Sequence, residues 1–169
     1  VGITGQTGFI GAHLYASLRL EENIKLVDFN RAWFESPSLM KSFIESCDCI
    51  VHLAAVSRSD DPKSMYDSNM RMVMSLAAAA ESSGRNISIL FASTTHESRD
   101  TLYHASKRDG RKLLEEIALR NENITGSTLL MPNVFGPYSK PFWNSAVSTF
   151  CHLAAIGRKP EKITDDTVR

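Results

Sequence analysis

The sequence predicts an α/β fold built on a doubly wound parallel sheet. Short apolar runs typical of buried strands alternate along the chain with longer segments whose apolar residues recur at helical spacing. A glycine-rich turn at 5–11 separates the first strand from the first helix, which is the order that such folds use. A chain of 169 residues suffices for one core, so we expect a single domain over 1–169.

Each element follows from a local pattern. Ile10 and Leu14 share one face of the first helix, Ser36-Pro37 supplies an N-cap and an N1 proline for the second, and Gly84 ends the third. The apolar run at 49–53 is typical of a strand buried on both faces. We predict strands at 1–4, 24–29, 49–53, 87–92 and 124–130, and helices at 9 to about 20, 37–44, 66–83 and 102–121.

The composition excludes several classes of protein. Lys+Arg and Asp+Glu are balanced at 19 each, so no overall basic field indicates a nucleic-acid partner. No apolar run is long enough to span a bilayer, and we expect no membrane partner. We interpret Cys47, Cys49 and Cys151 as reduced thiols, which suits the cytoplasm, and expect no metal site because too few further Cys or His ligands lie nearby.

The two ends of the sequence indicate a piece of a longer chain. Val1 already belongs to the first predicted strand, and the residues from Glu161 onward have no closing element. No secretory signal precedes the strand. We therefore expect a dinucleotide-binding domain that lacks most of a carboxyl-terminal substrate domain.

The glycine turn carries the first functional prediction. In the first βα turn of a Rossmann fold, glycines allow a tight turn, close approach of the backbone to a pyrophosphate, and close packing of helix on strand. The following helix directs its N–H groups and positive dipole end at the phosphates. An ordinary glycine-rich turn is the alternative, but the strand before it and the helix after it favour dinucleotide binding. The predicted cofactor-binding residues here are Gly5, Thr7, Gly8, Phe9, Ile10 and Gly11.

The end of the second strand bears on which dinucleotide is bound. Asp28 lies where a carboxylate would accept the ribose hydroxyls of NAD, whereas Arg31 could pair with the 2′-phosphate of NADP. The two signals conflict, and both residues also have an interpretation as solvated charges at a strand end.

The spacing Gly-x-x-Gly-x-x-Gly and the segment Tyr103-His104-Ala105-Ser106-Lys107 resemble the short-chain dehydrogenase/reductase superfamily. The resemblance is to its extended branch, the epimerase/dehydratase enzymes that act on nucleotide sugars. Tyr103 and Lys107 are four apart and share a helix face, and Lys107 supplies a cation that favours the phenolate of Tyr103. Thr94 follows a strand's carboxyl end, where open α/β sheets place ligands. We predict Thr94, Tyr103 and Lys107 as catalytic, although Tyr and Lys four apart on an exposed helix are also common.

Further segments resemble the reductase part of bacterial capsule-sugar enzymes, which reduce a UDP-linked 4-keto-6-deoxy sugar with NADPH and usually carry a cupin domain downstream. These segments are 50–58, 132–136 and 140–151. The resemblance favours NADP over NAD, which stays possible. It adds Leu53, Ala54, Ala55, Pro132 and Val134 to the cofactor-binding residues, and Arg58, His96 and Asn133 as substrate-binding residues. One departure is His104, where that family commonly has Gly.

The sequence therefore predicts an NADPH-dependent reductase of a 4-keto-6-deoxy nucleotide sugar, used in capsule or O-antigen precursor synthesis. One alternative is an NAD-dependent epimerase or 4,6-dehydratase, although the Asp-Glu that dehydratases place after the Thr is absent and only Glu97 lies nearby. Another is a non-catalytic regulator that senses a dinucleotide. His96 and His104 are either catalytic or polar surface groups, and His52 is expected to be a buried or strand-end residue. The resemblance also implies a homodimer formed through the helices at 66–83 and 102–121.

Overall fold

The structure is a computed structural model that describes residues 1–160. Strands and helices alternate along the chain, as the sequence predicts. The strands are β1 (Gly2–Thr4), β2 (Cys49–His52), β3 (Ile87–Thr94) and β4 (Ile124–Met131). The helices are α1 (Phe9–Leu18), α2 (Pro37–Glu45), α3 (Pro62–Ser83), α4 (Leu102–Arg120) and α5 (Ala146–Ala155), and a 3-10 helix spans Arg31–Glu35.

The sheet is ordered β1-β2-β3-β4, and the pairings of β2 with β1 and with β3 are parallel. Gly2 pairs with Ile50 of β2 and also forms an isolated parallel bridge to Val27. A strand residue has neighbours on its two edges only, so Val27 lies on the side of β1 opposite β2. The chain thus leaves β1 to one side and returns to the other, which is the reversal of a doubly wound sheet and confirms the predicted fold class.

The predicted second strand at 24–29 is wrong in extent, because only Val27 bridges to the sheet. Val27 N–H donates to the carbonyl oxygen of Val1 at 2.9 Å. Val27 lies opposite Gly2, the first residue of β1, and the pairing is parallel. The residues before Leu26 therefore lie opposite no residue of β1. After Phe29 the chain turns into the 3-10 helix, whose start is fixed when Ala32 N–H donates to the side chain of Asn30.

Helix α3 begins at Pro62, earlier than the predicted start at 66. Asp61 is its N-cap and accepts hydrogen bonds from the backbone N–H groups of Lys63 and Ser64. The pair Asp61-Pro62 is the local signal for this earlier start, since Asp is a favoured N-cap and Pro a favoured first helical residue. Gly84 ends the helix in the left-handed conformation with φ +63, as predicted.

The core lies where α2, α3 and α4 cover the sheet. The largest fully buried apolar side chains are Ile3, Met40, Ile44, Ile50, Leu76, Ile89, Phe91 and Ile117. Met65 and Met72 of α3 are buried in the core, whereas Met74 is exposed. The layers hold the carboxyl ends of β1, β2 and β3 side by side, which positions the site described below.

The chain divides into two compact units, the first over Val1–Leu130 and the second beginning at Met131. In the second unit, α5 is capped by the side chain of Ser145, which accepts from Ser148 N–H at 3.2 Å. Tyr138 and Phe142 have positive φ in the segment before it. Within residues 1–160, no helix is both long and apolar enough to cross a membrane.

Candidate active site

The glycine turn after β1 has no room for side chains. Gly5 has φ +79, and a Cβ built on it would lie 2.8 Å from the backbone nitrogen of Ala54. A Cβ on Gly11 would lie 2.1 Å from the carbonyl oxygen of Gly5. Gly8 donates its N–H to that same oxygen at 2.9 Å and is the N-cap of α1, where it has no side chain to cap the first turn. The turn therefore presents bare backbone and a helix N-terminus, which is the surface that a pyrophosphate requires.

Hydrogen bonds made by Thr4 connect this turn to the end of β2. Its Oγ1 lies 2.7 Å from Nδ1 of His52 and accepts the N–H of Ala54 at 3.4 Å. Leu53 N–H also donates to the carbonyl oxygen of Thr4 at 3.1 Å. The turn thus lies against Leu53 and Ala54, two residues predicted to bind the cofactor.

His52 is buried, as expected. Burial, and secondarily the charge of Lys107, lowers the pKa of His52 to about 3, so the ring is neutral at ordinary pH. Its Nε2 is buried and has no hydrogen-bond partner among the described residues. The ring stacks on Phe91, with centroids 5.7 Å apart.

Asp28 and Arg31 lie beyond the bridge at Val27, and both are exposed. Tyr15 of α1 donates its hydroxyl to Oδ1 of Asp28 at 2.7 Å. Phe29 N–H donates to Oε1 of Gln6 in the glycine turn at 3.2 Å. The structure therefore brings the predicted ribose-binding carboxylate to the glycine turn. Sequence reasoning missed both Tyr15 and Gln6.

Lys107 contacts the carboxyl end of β3, the strand that ends at Thr94, from the helix that also carries Tyr103. Thr94 is the last residue of that strand, and α4 begins at Leu102 after Thr101 caps it. The side chain of Lys107 is buried, and its Nζ donates to the carbonyl oxygen of Ala92 at 2.9 Å. Since Ala92 precedes Thr94 by two residues, this bond fixes α4 against the end of the strand. Tyr103 lies one helical turn earlier on the same face.

The two ionisable groups of this set are shifted by burial. Burial lowers the pKa of Lys107 to about 8, so the ammonium still dominates at neutral pH. Burial raises the pKa of Tyr103. The sequence predicts the opposite direction, through the cation of Lys107. The direction is set by desolvation of the buried phenol, which disfavours the phenolate. A protonated Tyr103 is the form that can donate a proton.

Asn69 of α3 is a buried polar residue that sequence reasoning missed. Its Oδ1 accepts Val56 N–H at 2.7 Å, and its Nδ2 donates to the carbonyl oxygen of Val56 and to Ser106 Oγ, each at 3.0 Å. Ser106 in turn donates to the carbonyl oxygen of Tyr103 at 2.7 Å. The amide thereby connects the loop after β2 to the first turn of α4. Its position four residues after Met65 on the apolar face is the signal that could have found it.

The carboxylate of Glu97 is engaged by hydrogen bonds from neighbouring side chains and is not free to exchange protons with a substrate. Its carboxylate accepts bidentate hydrogen bonds from Arg111 at 2.9–3.1 Å and a further bond from Ser93. Although burial acts to raise the pKa of Glu97, the hydrogen bonds from Arg111 and Ser93 prevail and lower it. This carboxylate is therefore an ionised structural group.

The histidines near the site lie beside Thr94 and Tyr103. His96 donates its backbone N–H to Thr94 Oγ1 at 3.2 Å. His104 has its Nδ1 2.7 Å from Thr101 Oγ1, and its ring centroid is 5.3 Å from that of Tyr103 and 6.4 Å from that of His96. Both imidazoles therefore border the surface that a substrate over Tyr103 would contact.

Most of the remaining predicted residues are exposed. Thr7 lies in the glycine turn, and Ala55 and Arg58 lie in the loop after β2. Phe9 and Ile10 form the half-buried start of α1. Pro132, Asn133 and Val134 belong to the second compact unit, and their predicted contacts stay predictions. Within residues 1–160 no group of three or more His, Cys, Asp or Glu side chains could hold a metal, and Cys47, Cys49 and Cys151 are free thiols.

The reversal of the sheet at Gly2 and the bare glycine turn beside it define a nucleotide-binding α/β protein. The chain belongs to the NAD-dependent epimerase/dehydratase family, which matches residues 1–167. It is 36% identical over 152 residues to UDP-2-acetamido-2,6-beta-L-arabino-hexul-4-ose reductase of Pseudomonas aeruginosa, covering 89% of this chain and 40% of that protein.

Solved structures show the same fold. The capsular polysaccharide assembling protein CapF of Staphylococcus aureus superposes with a TM-score of 0.71 and 26% identity, over 96% of this chain and 43% of that one. The UDP-glucose 4-epimerase of Thermotoga maritima superposes with a TM-score of 0.81 and 20% identity, over 97% of this chain and 65% of that one. The chain thus spans less than half the length of the first two relatives.

Proposed function

We propose that this chain is the dinucleotide-binding and catalytic part of an NADPH-dependent reductase. Its substrate is a 4-keto-6-deoxy nucleotide sugar of the kind used for capsule or O-antigen precursors. The observation that carries the proposal is the bond from Lys107 to Ala92, which holds the helix of Tyr103 against the strand end that bears Thr94. The similarity to the reductase of Pseudomonas aeruginosa supports the choice of a 4-keto sugar.

The residues present fit a nicotinamide dinucleotide. The bare backbone of Gly5, Gly8 and Gly11 would hold the pyrophosphate, Asp28 and Arg31 the adenosine ribose, and Lys107 the nicotinamide ribose. When bound, the reduced nicotinamide supplies a hydride to the carbonyl carbon. Arg31 is exposed and has no ion pair within residues 1–160, which supports NADP(H) over NAD(H).

The side chains divide the remaining work. Thr94 orients the carbonyl of the sugar by a hydrogen bond from its hydroxyl. Tyr103, kept protonated by burial, donates its proton to the oxygen that becomes the new hydroxyl. Lys107 holds α4 against β3 through its bond to the Ala92 carbonyl, which positions the tyrosine, and it would hold the nicotinamide ribose. A general acid of this type contributes about 10²–10⁴-fold to the rate.

The alternative functions have less support. A 4,6-dehydratase needs a free acid and base to remove a proton and expel a hydroxyl, and Glu97 is engaged by Arg111 and Ser93. A dinucleotide sensor has no need of a buried lysine behind a tyrosine. We also propose a cytoplasmic location, which the free thiols and the use of NADPH support. The exposed Met74 of α3 and Leu119 of α4 support a homodimer through these helices.

The test is NADPH oxidation by the full-length protein with a UDP-linked 4-keto-6-deoxy sugar. We expect turnover that Tyr103→Phe reduces at least about 100-fold while NADPH binding persists. Tyr66→Phe is the matched control, because Tyr66 donates to Asp109 between α3 and α4 and has no part in the chemistry. Turnover that survives Tyr103→Phe would overturn the proposed acid. Dinucleotide binding without turnover of any 4-keto sugar would favour the sensor.

A further inference from the structure

The hydrogen bond between Tyr15 and Asp28 occupies one oxygen of the carboxylate that would face the adenosine ribose. The Tyr15 hydroxyl must be the donor, because an ionised carboxylate can only accept. The 2.7 Å distance is typical of a strong bond to a charged acceptor. One oxygen of Asp28 is therefore held by α1 before any ligand arrives.

The backbone next to Asp28 is anchored at Phe29 from two sides, which keeps Asp28 beside Tyr15. Phe29 N–H is bonded to Gln6 in the glycine turn. The Phe29 ring packs against the rings of Phe34 and Phe43, with centroids 4.9 and 4.8 Å apart. Asp28 is thus exposed next to an anchored residue, and Tyr15 sets which of its oxygens is free.

Within the part of the chain that the structure describes, the guanidinium of Arg31 is not held by a hydrogen bond of the kind that Tyr15 makes to Asp28. Arg31 is the first residue of the 3-10 helix and is exposed. The structure gives it no ion pair with Asp28 or with any other acidic side chain among residues 1–160. Recognition of an unmodified ribose by Asp28 is best when both oxygens receive a hydroxyl, whereas a 2′-phosphate is best matched by a guanidinium.

We propose that Tyr15 determines the selectivity of this site for a 2′-phosphorylated dinucleotide. By holding Oδ1 of Asp28, it weakens the pairing of that carboxylate with the two hydroxyls of an unmodified ribose. It also keeps the negative charge of Asp28 on the side of α1. A 2′-phosphate can then be bound by Arg31. Tyr15 is thus a positioning residue that acts through Asp28. The inference rests on the proposed function, since it assumes that the turn binds a nicotinamide dinucleotide.

The experiment measures Kd for NADPH and for NADH by fluorescence titration of the full-length protein and its Tyr15→Phe variant. Tyr15→Phe frees Oδ1 and retains the ring. We expect the ratio of the NADH Kd to the NADPH Kd to fall at least about fivefold, chiefly through tighter NADH binding. A ratio unchanged within about twofold, or a shift towards NADPH, would overturn the inference.

Two further variants establish that the effect passes through Asp28. Tyr66→Phe removes a second tyrosine–aspartate hydrogen bond, 3.0 Å long and between α3 and α4, and should leave the ratio unchanged. In an Asp28→Ala background, which removes the acceptor, Tyr15→Phe should produce no further shift. An equal shift in that background would overturn the inference.

The outcome also separates this inference from the proposed function. If the wild-type protein binds neither dinucleotide, the proposed function and the inference fail together. If the wild-type protein binds both dinucleotides and Tyr15→Phe leaves the ratio of their Kd values unchanged, the inference alone fails.

Discussion

The ammonium of Lys107 and the carbonyl oxygen of Ala92 lie 2.9 Å apart in the buried layer between α4 and β3. The cation also lies 5.1 Å from the centroid of the Phe91 ring, whose other neighbour is His52. A charge at this depth is costly unless it is bonded, and one backbone carbonyl and one aromatic ring are the partners that the structure provides. Placing this charge at the strand end that bears Thr94 therefore lowers the free energy of unfolding.

The cost of burying the Lys107 cation predicts a pH-dependent difference in stability between wild type and Lys107→Met. The pKa of Lys107 is about 8 in the folded protein and about 10.5 when unfolded, so between these values the unfolded chain binds more protons. The contribution of Lys107 to stability therefore rises with pH over this window, by about 3 kcal/mol in all. We expect wild type to gain this much relative to Lys107→Met between pH 8 and 10.5 in urea unfolding. Parallel pH profiles would contradict the burial of the cation.

The glycine turn gives a second prediction. Gly11→Ala places a Cβ against the Gly5 carbonyl, so the turn must open. We expect dinucleotide affinity to fall at least about tenfold and the free energy of unfolding to fall by about 1–3 kcal/mol. Gly84→Ala is the control, since Gly84 has φ +63 and no atom near its Cβ position. It should lower the melting temperature and leave dinucleotide affinity intact. Equal affinity for Gly11→Ala and wild type would refute the tight turn.

Glu97→Gln separates the reductase from a dehydratase. Because Arg111 and Ser93 hold the carboxylate, we expect a loss of about 1–2 kcal/mol of stability and a kcat within about threefold of wild type. Arg111→Gln should destabilise to a similar extent, because it breaks the same pair. The measurements are thermal unfolding and NADPH oxidation. A loss of turnover confined to Glu97→Gln, with Arg111→Gln fully active, would assign Glu97 to the chemistry.

His104 gives a prediction about the sugar. The imidazole borders Tyr103, where the resembling family commonly has glycine. We expect His104→Gly to change the ratio of kcat/KM between a 2-acetamido and a 2-hydroxy 4-keto sugar nucleotide at least about threefold. Dinucleotide affinity should stay within about twofold, since the ring does not approach the glycine turn. Identical substrate preference in both proteins would remove His104 from the sugar site.

The parts of the fold that follow from local rules could be predicted from the sequence. The glycines at 5, 8 and 11 have steric reasons that depend on neighbouring residues, and the buried strands and the C-terminal Gly84 of α3 are local patterns as well. The strand at 24–29 could not be predicted in extent, because its ladder depends on the register with Gly2 across the sheet.

The hydrogen bonds that position the candidate site join residues far apart in the chain. Asn69 contacts Ser106 from 37 positions away, and Lys107 reaches Ala92 from 15. Side-chain periodicity indicates which face is buried, but not which carbonyl a buried lysine selects. The raised pKa of Tyr103 could not be foreseen either, because it depends on how deeply the fold buries the phenol.

The bond between Thr4 and His52 has a consequence for the behaviour of the protein in acid. A proton added to the buried Nε2 would create a second cation close to Lys107, with no acceptor among the described residues to receive it. The folded pKa of about 3 lies below the ordinary value of 6.5, so stability present above pH 6.5 is lost as the pH falls towards 3. Protonation of His52 should therefore lower the stability of the folded chain at the junction of β1 and β2, and the midpoint of urea unfolding should fall between pH 6.5 and pH 3.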